Sequence, residues 1–322
     1  MFPQANTIVR VEEGKLLTES QYETLLNTDN LQSAIKELDD LDYFETYREI
    51  TIDNHMEILD LLLEQTFRLL FEITEEETTA IYKLFALYYD IHNMKIAVKE
   101  KSLDTKLDDL YLNVGYYPKR NIRSVLVDKK YDILKNDTLT KGMFEALETK
   151  ELYDVNFILD KVYFKALLEL TDELDSVHIT DFVKKKADLY NISAYYQMLV
   201  SKASKSFFYL AYSDVGYLKF ENWQNLIEEK GNEMFLEMSD YSSIWESTKD
   251  GKSITTFDLT VDNYLMDIVK GAKLMAFGYE PICAYFYAKF QEIKNIRMLL
   301  VGKKNNYEIE EIKKRMRLRY EL

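Results

Sequence analysis

The chain has 322 residues, 47% hydrophobic and 30% charged, the composition of a folded globular protein with room for two or three domains or one repeat-built body. Its formal net charge of −15 repels nucleic-acid phosphate and anionic headgroups, which argues against either as the main partner. Nine glycines and three prolines are too few for the turns of a β-rich chain, and a single cysteine, Cys283, cannot form an intramolecular disulfide, which fits a reducing compartment.

In chain order, the opening stretch MFPQANTIVRVEEGKLL has neither the basic n-region nor the apolar h-region of a secretory signal. Thr18–Gln21 (TESQ) reads as a capping box opening a helix over 18–27, and helices are predicted over 30–40, 43–51 and 55–72. Thr74–Glu77 (TEEE) reads as a second capping box ahead of a helix over 75–101. Helices over 120–135, 140–149, 152–175, 180–202, 204–213 and 220–239 follow, with Thr180 and Thr260 as simple N-caps. Residues 253–259 (SITTFDL), the best strand candidate, are read as a loop leading into a helix over 257–276. The stretch FGYEPICAYFYAKFQEIKNIRMLL (Phe277–Leu300) predicts a helix over 281–301 that starts at Pro281, where a missing N–H costs nothing. Its first turns, ICAYFYA, are apolar all round and predict burial on every side; the charges that follow exclude a membrane span. Gly302 reads as lying near a C-terminal cap. A last helix over 306–320 carries the basic KKRMRLRY (Lys313–Tyr320), whose cations would complement the helix dipole or meet an acidic partner loop or lipid headgroups.

The pattern repeats. An Ile/Leu–Leu/Met–Asp string ends at Asp60, Asp160 and Asp267, and an acid three residues before an Asn recurs at Asn93, Asn191 and Asn295. The Asp-to-Asn gaps are 33, 31 and 28 residues and the Asn-to-Asn gaps 98 and 104. This spacing predicts three copies of a two-helix unit of about 100 residues, divided as 1–125, 126–225 and 226–322, in a closed pseudo-threefold body or a short curved stack. An echo, VGYYPKRN at Val114 and VGYLKFEN at Val215, follows the Asn helix in the first two copies. Asn93, Asn191 and Asn295 are read as structural, because a buried amide must be bonded and a thrice-repeated residue suits a joint better than a single active site.

The chemistry-bearing residues do not assemble into a reactive motif. His55, His92 and His178 are scattered and lack zinc-ligand spacing, and no glycine-rich phosphate loop occurs. Adjacent acids, as in ELDDLDYFE, read as a solvated face in a chain with 56 acids. The aromatic runs YKLFALYY (Tyr82–Tyr89) and YFYAKF (Tyr285–Phe290) read as core, or as the wall of a protein socket. No catalytic, cofactor or metal residue is assigned.

Three regions carry a family resemblance: NTIVRVEEGKLLTESQYETLL, with Asn6, Arg10, Glu13, Leu16, Leu17 and Tyr22 in step; YYDIHNMKIAVKEK (Tyr88–Lys101); and FGYEP…EIKNIRMLLVGKKN. The chain resembles the C subunit of prokaryotic V-type (A/V-type) rotary ATPases, related to the d subunit of eukaryotic vacuolar ATPases. The resemblance implies an all-α, funnel-shaped body of three similar helical units on the cytoplasmic face of the membrane. It implies a non-catalytic rotor part, without cofactor, seated on the membrane rotor ring and receiving the central shaft subunits of D and F type. The alternative is a cytosolic helical-repeat scaffold that binds protein partners.

Overall fold

The computed structural model describes residues 3–41, 43, 51–74, 79–229, 233–249 and 254–321. Among these, every regular element is helical, and the fold class is all-α. In chain order they are α1 (Pro3–Glu13), α2 (Glu19–Leu26), α3 (Leu31–Asp40), α4 (His55–Thr74), α5 (Ala80–Leu103), α6 (Lys119–Val127), α7 (Asp137–Leu147) and α8 (Asp154–Leu174). They continue as α9 (Val177–Ser201), α10 (Lys205–Ala211), α11 (Phe220–Glu229), α12 (Met234–Glu237), α13 (Ser242–Lys249), α14 (Ile254–Lys270), α15 (Tyr279–Lys304) and α16 (Ile309–Lys313). Short 3-10 turns span Asp108–Leu110 and Gly271–Leu274. Two compact units result: Met1–Glu77 with Asp262–Leu322, and Thr78–Val261.

In the first unit α2, α3, α4 and α15 enclose an aliphatic core in which Tyr22, Leu25, Leu38, Leu59, Ile296 and Leu300 are buried. On α15, Ile293, Ile296, Leu299 and Leu300 recur at spacings of three and four and form one apolar stripe. The residues of the opening pattern fasten α1 and its following turn to the far end of the chain. Asn6 Nδ2 donates to Gly278 O (3.1 Å), and the Arg10 guanidinium donates to Ala272 O (3.2 Å) while pairing with Glu13 (2.7 Å). The capping box at Thr18 is present: Thr18 N donates to Gln21 Oε1 (2.8 Å) and Gln21 N to Thr18 Oγ1 (3.4 Å).

At its other end α2 is closed by a distant cation. Lys303, buried on α15, donates to Leu26 O (2.7 Å) and to Thr28 O. The last carbonyls of a helix lack partners within it and carry the negative end of its dipole, so an ammonium satisfies both needs. Lys303→Met is expected to cost about 2 kcal/mol, since it removes charge-assisted bonds from carbonyls held away from water. A urea denaturation midpoint unmoved by the substitution would show that those carbonyls are rehydrated freely.

In the second unit α5 packs along α8, with α7 and α9 also against α8 and α6 against α5. The buried Trp223 and Trp245 sit 5.7 and 5.6 Å from the Tyr195 ring, and Phe208 sits 5.1 Å from Trp223. These large rings fill the space between α9, α10, α11 and α13. Of the two aromatic runs read as core, Tyr285 and Phe286 are buried, whereas in Tyr82–Tyr89 Tyr88 is exposed and Tyr82, Phe85 and Tyr89 are half-buried.

Several predicted boundaries move. Thr74 ends α4 rather than capping α5, and its hydroxyl donates to Leu70 O (2.7 Å); the three acids that follow it in TEEE lie outside the described residues. Thr180 and Thr260 lie inside α9 and α14, with hydroxyls turned back to Ser176 O and Thr256 O; Ser176 caps α9 instead. Residues 254–259 are helical, not a loop. The helix predicted over 120–135 ends at Val127, the one over 306–320 is reduced to α16, and the one over 43–51 falls mostly outside the described residues. Gly302 is inside α15 rather than at its cap. A Cβ there would lie 2.6 Å from Ile312 Cγ1, so the glycine permits close packing of α16, and the left-handed backbone falls at Asn306 (φ 55°). The turns ICAYFYA are largely buried, as their composition predicts. The sequence reading missed α13 and also α1, although α1 opens on Pro3, the same signal that Pro281 offers in α15.

Candidate functional site

Asn93, Asn191 and Asn295 stand within the three long helices α5, α9 and α15, all buried, and each makes the same pair of bonds. Asn93 Nδ2 donates to Leu112 O (3.0 Å), and Leu112 N donates to Asn93 Oδ1 (2.9 Å). Asn191 does this with Ser213 (2.8 and 2.8 Å), and Asn295 with Arg317 (3.0 and 2.8 Å). A primary amide offers donor and acceptor in one plane, matching the N–H and C=O of a single backbone residue. Aspartate at these positions would lack the donor. Each amide thus clamps the segment that follows its helix back against the helix.

One turn earlier, on the same helix face, stands the acid of the repeated string. Asp90 accepts from Tyr116 N (3.0 Å) and Tyr117 N (3.0 Å). Asp188 accepts from Tyr217 N (2.9 Å), Leu218 N (3.0 Å) and the Tyr241 hydroxyl (2.8 Å). The VGY echo now has a cause. Gly115 and Gly216 lie so close to these carboxylates that a Cβ would fall 2.6 Å from Asp90 Oδ1 and 2.0 Å from Asp188 Oδ1. At the third joint Tyr320 holds the glycine's place, three residues after the clamped Arg317. Glu292 there accepts from Leu17 N (2.6 Å) and from Lys289 Nζ (2.8 Å). Burial pushes the carboxyl of Asp90 up to about 7, opposed by the N–H groups of Tyr117 and Tyr116. Asp188 is raised by the same cause, opposed by the Leu218 and Tyr217 N–H groups and the Tyr241 hydroxyl.

The three aspartates of the other repeated string are placed differently from one another. Asp160 on α8 pairs with Lys95 of α5, and burial raises its carboxyl against that cation's pull. Asp60 on α4 pairs with Arg297 of α15 (2.6 Å) at the surface. Lys95 and Arg297 both follow a clamping asparagine by two positions. In these two cases the Asn helix and the Asp helix pack together, α5 with α8 and α15 with α4. Asp267 pairs within its own helix with Lys270 (3.1 Å), and the position two after Asn191 is Ser193, whose hydroxyl accepts from Gln197. The sequence reading located the asparagines and aspartates but missed the cation two residues after the asparagine, a signal present in two of the three strings.

The basic tail is engaged within the first unit. Arg317 pairs with Asp262 (2.6 Å), Arg319 with Glu19 (3.0 Å) and Lys313 with Glu23 (3.0 Å), and apart from Lys313 these cations are outside a helix, so the dipole reading does not apply to Arg317 and Arg319. His92 Nε2 lies 3.1 Å from Leu110 O. Among the described residues no group of three His, Cys, Asp or Glu is placed to hold a metal ion, and no helix is long and apolar enough to cross a membrane. What the joints do chemically is hold backbone: the amides lock each long helix to the segment after it, Asp90 and Asp188 hold those same segments, and Glu292 holds the turn after α1 at Leu17.

Known proteins share this sequence along its length. The chain is 24% identical to the C subunit of the V-type sodium ATPase of Enterococcus hirae, over 100% of this chain and 99% of that one. It is 23% identical to the C subunit of the A-type ATP synthase of Methanocaldococcus jannaschii, over 97% and 85% of the two chains. With the corresponding A-type ATP synthase C subunit of Archaeoglobus fulgidus the identity is 24%, over 95% and 93%. The profile of the ATP synthase (C/AC39) subunit matches residues 5–315, a span that includes all three asparagines, and the chain belongs to that family.

Proposed function

We propose that this chain is a non-catalytic rotor subunit of a V/A-type ATPase, linking the central shaft to the membrane rotor ring and passing torque between nucleotide turnover and ion translocation. The observation that carries the reading is the family match from residue 5 to residue 315, which takes up nearly all of the chain. The joints support it physically. A torque link needs stiffness, and an amide clamp at Asn93, Asn191 and Asn295 stiffens a helical body without any reactive group. In this reading the body comprises three helical units, 1–125, 126–225 and 226–322. It sits on the cytoplasmic face of the membrane, with the D- and F-type shaft subunits and the ring as partners. Those contacts rest on shape, each burying on the order of 1,000 Å² or more.

Deletion of the chain from its complex is the test. ATP-driven ion pumping should disappear while the catalytic head still hydrolyses ATP, and the chain should co-purify with the shaft and ring of the intact assembly. Coupled pumping that persists without the chain would overturn the assignment.

A further inference from the structure

The three acids of the joints share a task but not a surrounding. Asp188 has a hydroxyl donor, Tyr241, beside its two backbone N–H groups, and Glu292 has the Lys289 ammonium. Asp90 bonds to the N–H groups of Tyr116 and Tyr117, and among the described residues no cation or hydroxyl joins them. It is also 1% exposed, yet its carboxylate borders a cavity of about 400 Å³ whose walls include Leu87, Leu134 and Leu170. Solvent protons therefore have a way in, while the negative charge has little to stabilise it.

The titratable groups around Asp90 lie on α5, the clamped turn, the lead-in of α7 and α8, while α6 brings the neutral Asn121 to the cavity wall. Tyr82 and Lys83 share its helix; the Tyr82 hydroxyl donates to Gly115 O (3.1 Å), and the Lys83 ammonium lies 4.9 Å over the Tyr116 ring. Tyr116 and Tyr117 belong to the clamped turn, Lys135 to the lead-in of α7 and Glu173 to α8, all on the cavity wall. The Tyr117 hydroxyl is pushed above its ordinary range by burial and by the charge of Asp90, so it remains a neutral group while the aspartate titrates.

We infer that Asp90 is a proton-responsive latch: as a carboxylate it grips the Gly115–Tyr117 turn, and a proton taken up from the adjoining cavity loosens that grip. Hydrogen bonds to an ionised acceptor are roughly twice as strong as neutral ones. Protonation thus weakens the two bonds that hold the turn, although Asn93 continues to clamp Leu112 just before it. The global effect has the opposite sign. Because the folded chain takes up this proton at a higher pH than the unfolded chain does, protonation of Asp90 stabilises the fold while loosening the turn. Acid unfolding would weaken both together.

The experiment is a pH titration of the full chain with ¹³C-labelled carboxyls, the Asp90 signal assigned by its loss in Asp90→Asn, alongside amide exchange. The Asp90 carboxyl should titrate near pH 7. Exchange at the Tyr116 and Tyr117 amides, corrected for its intrinsic pH dependence, should quicken on the order of tenfold across that titration. In Asp90→Asn the two amides should exchange at the faster rate at every pH. If the variant fails to fold, wild-type exchange measured against the carboxyl titration still decides. A carboxyl midpoint below about pH 5, or amide protection constant through the titration, overturns the latch.

Discussion

Replacing Asn191 with alanine should destabilise the chain by about 3–4 kcal/mol, well beyond the loss of two ordinary hydrogen bonds. The reason lies in what is left behind. Asn191 and its partner Ser213 are both buried, so truncation strands an N–H and a C=O of Ser213 where water does not reach. Each stranded group costs roughly 1–3 kcal/mol. The same substitution at Asn93 should cost only about 1–2 kcal/mol, because Leu112 is exposed and its backbone can turn to water. Asn295→Ala should fall between them, since Arg317 is partly exposed. Asn191→Asp is the sharper probe: the carboxylate can still accept from Ser213 N but faces Ser213 O with a second acceptor, and it should be no milder than alanine. Denaturant midpoints of the purified variants test the order. Equal costs at all three positions would mean that solvent reach at the clamped residue is not what sets the penalty.

This order of effects could not be drawn from the sequence, although the asparagines themselves could. Asn93, Asn191 and Asn295 stood out because they recur with an acid three residues before and at similar distances from an Ile/Leu–Leu/Met–Asp string. Helical periodicity then put acid and amide on one face. The partners were hidden because Leu112, Ser213 and Arg317 contribute only backbone, and their side chains have nothing in common. The VGY echo was visible as a string but not as a steric requirement, since its cause is the approach of a carboxylate from another segment. The misplaced caps at Thr74, Thr180 and Thr260 have one source: a threonine inside a helix, or on its last turn, bonds the carbonyl four residues back, as all three do here, and in sequence it looks like a threonine that opens a helix.

The repeated salt link shows how far the recurrence extends into packing. Lys95 with Asp160, and Arg297 with Asp60, tie an Asn helix to an Asp helix of a different string. They contribute unequally. Asp60 is largely solvated, so its pair is worth little, whereas Asp160 is the more shielded of the two and losing Lys95 would leave Lys99 as the remaining cation acting on its half-buried carboxylate. The amide clamps are the invariant part of the joint, and the ion pairs are the part that varies.

The glycine beside the second carboxylate should be the least replaceable residue of that joint. In Gly216→Ala the new Cβ would lie 2.0 Å from Asp188 Oδ1, 2.6 Å from its Cγ and 3.1 Å from its backbone N. The carboxylate cannot swing away cheaply, because Tyr217 N, Leu218 N and the Tyr241 hydroxyl all hold it, and the backbone behind it belongs to α9. Either the turn shifts and those three bonds lengthen, or the clash stands, so the cost should reach about 4 kcal/mol. Gly115→Ala meets a wider gap, 2.6 Å from Asp90 Oδ1, but adds strain from a φ of 141° that a side chain seldom adopts. Gly271→Ala is the control, with nothing within 4 Å of the added atom and no positive φ, and should be close to neutral. A double-mutant cycle separates the clash from the lost bonds. Asp188→Ala alone strands three donors; in the Asp188→Ala, Gly216→Ala pair the added methyl no longer has a carboxylate to strike, so the combined loss should be far less than the sum of the separate costs. Strict additivity of the two substitutions would show that Gly216 is required for some reason other than the approach of Asp188.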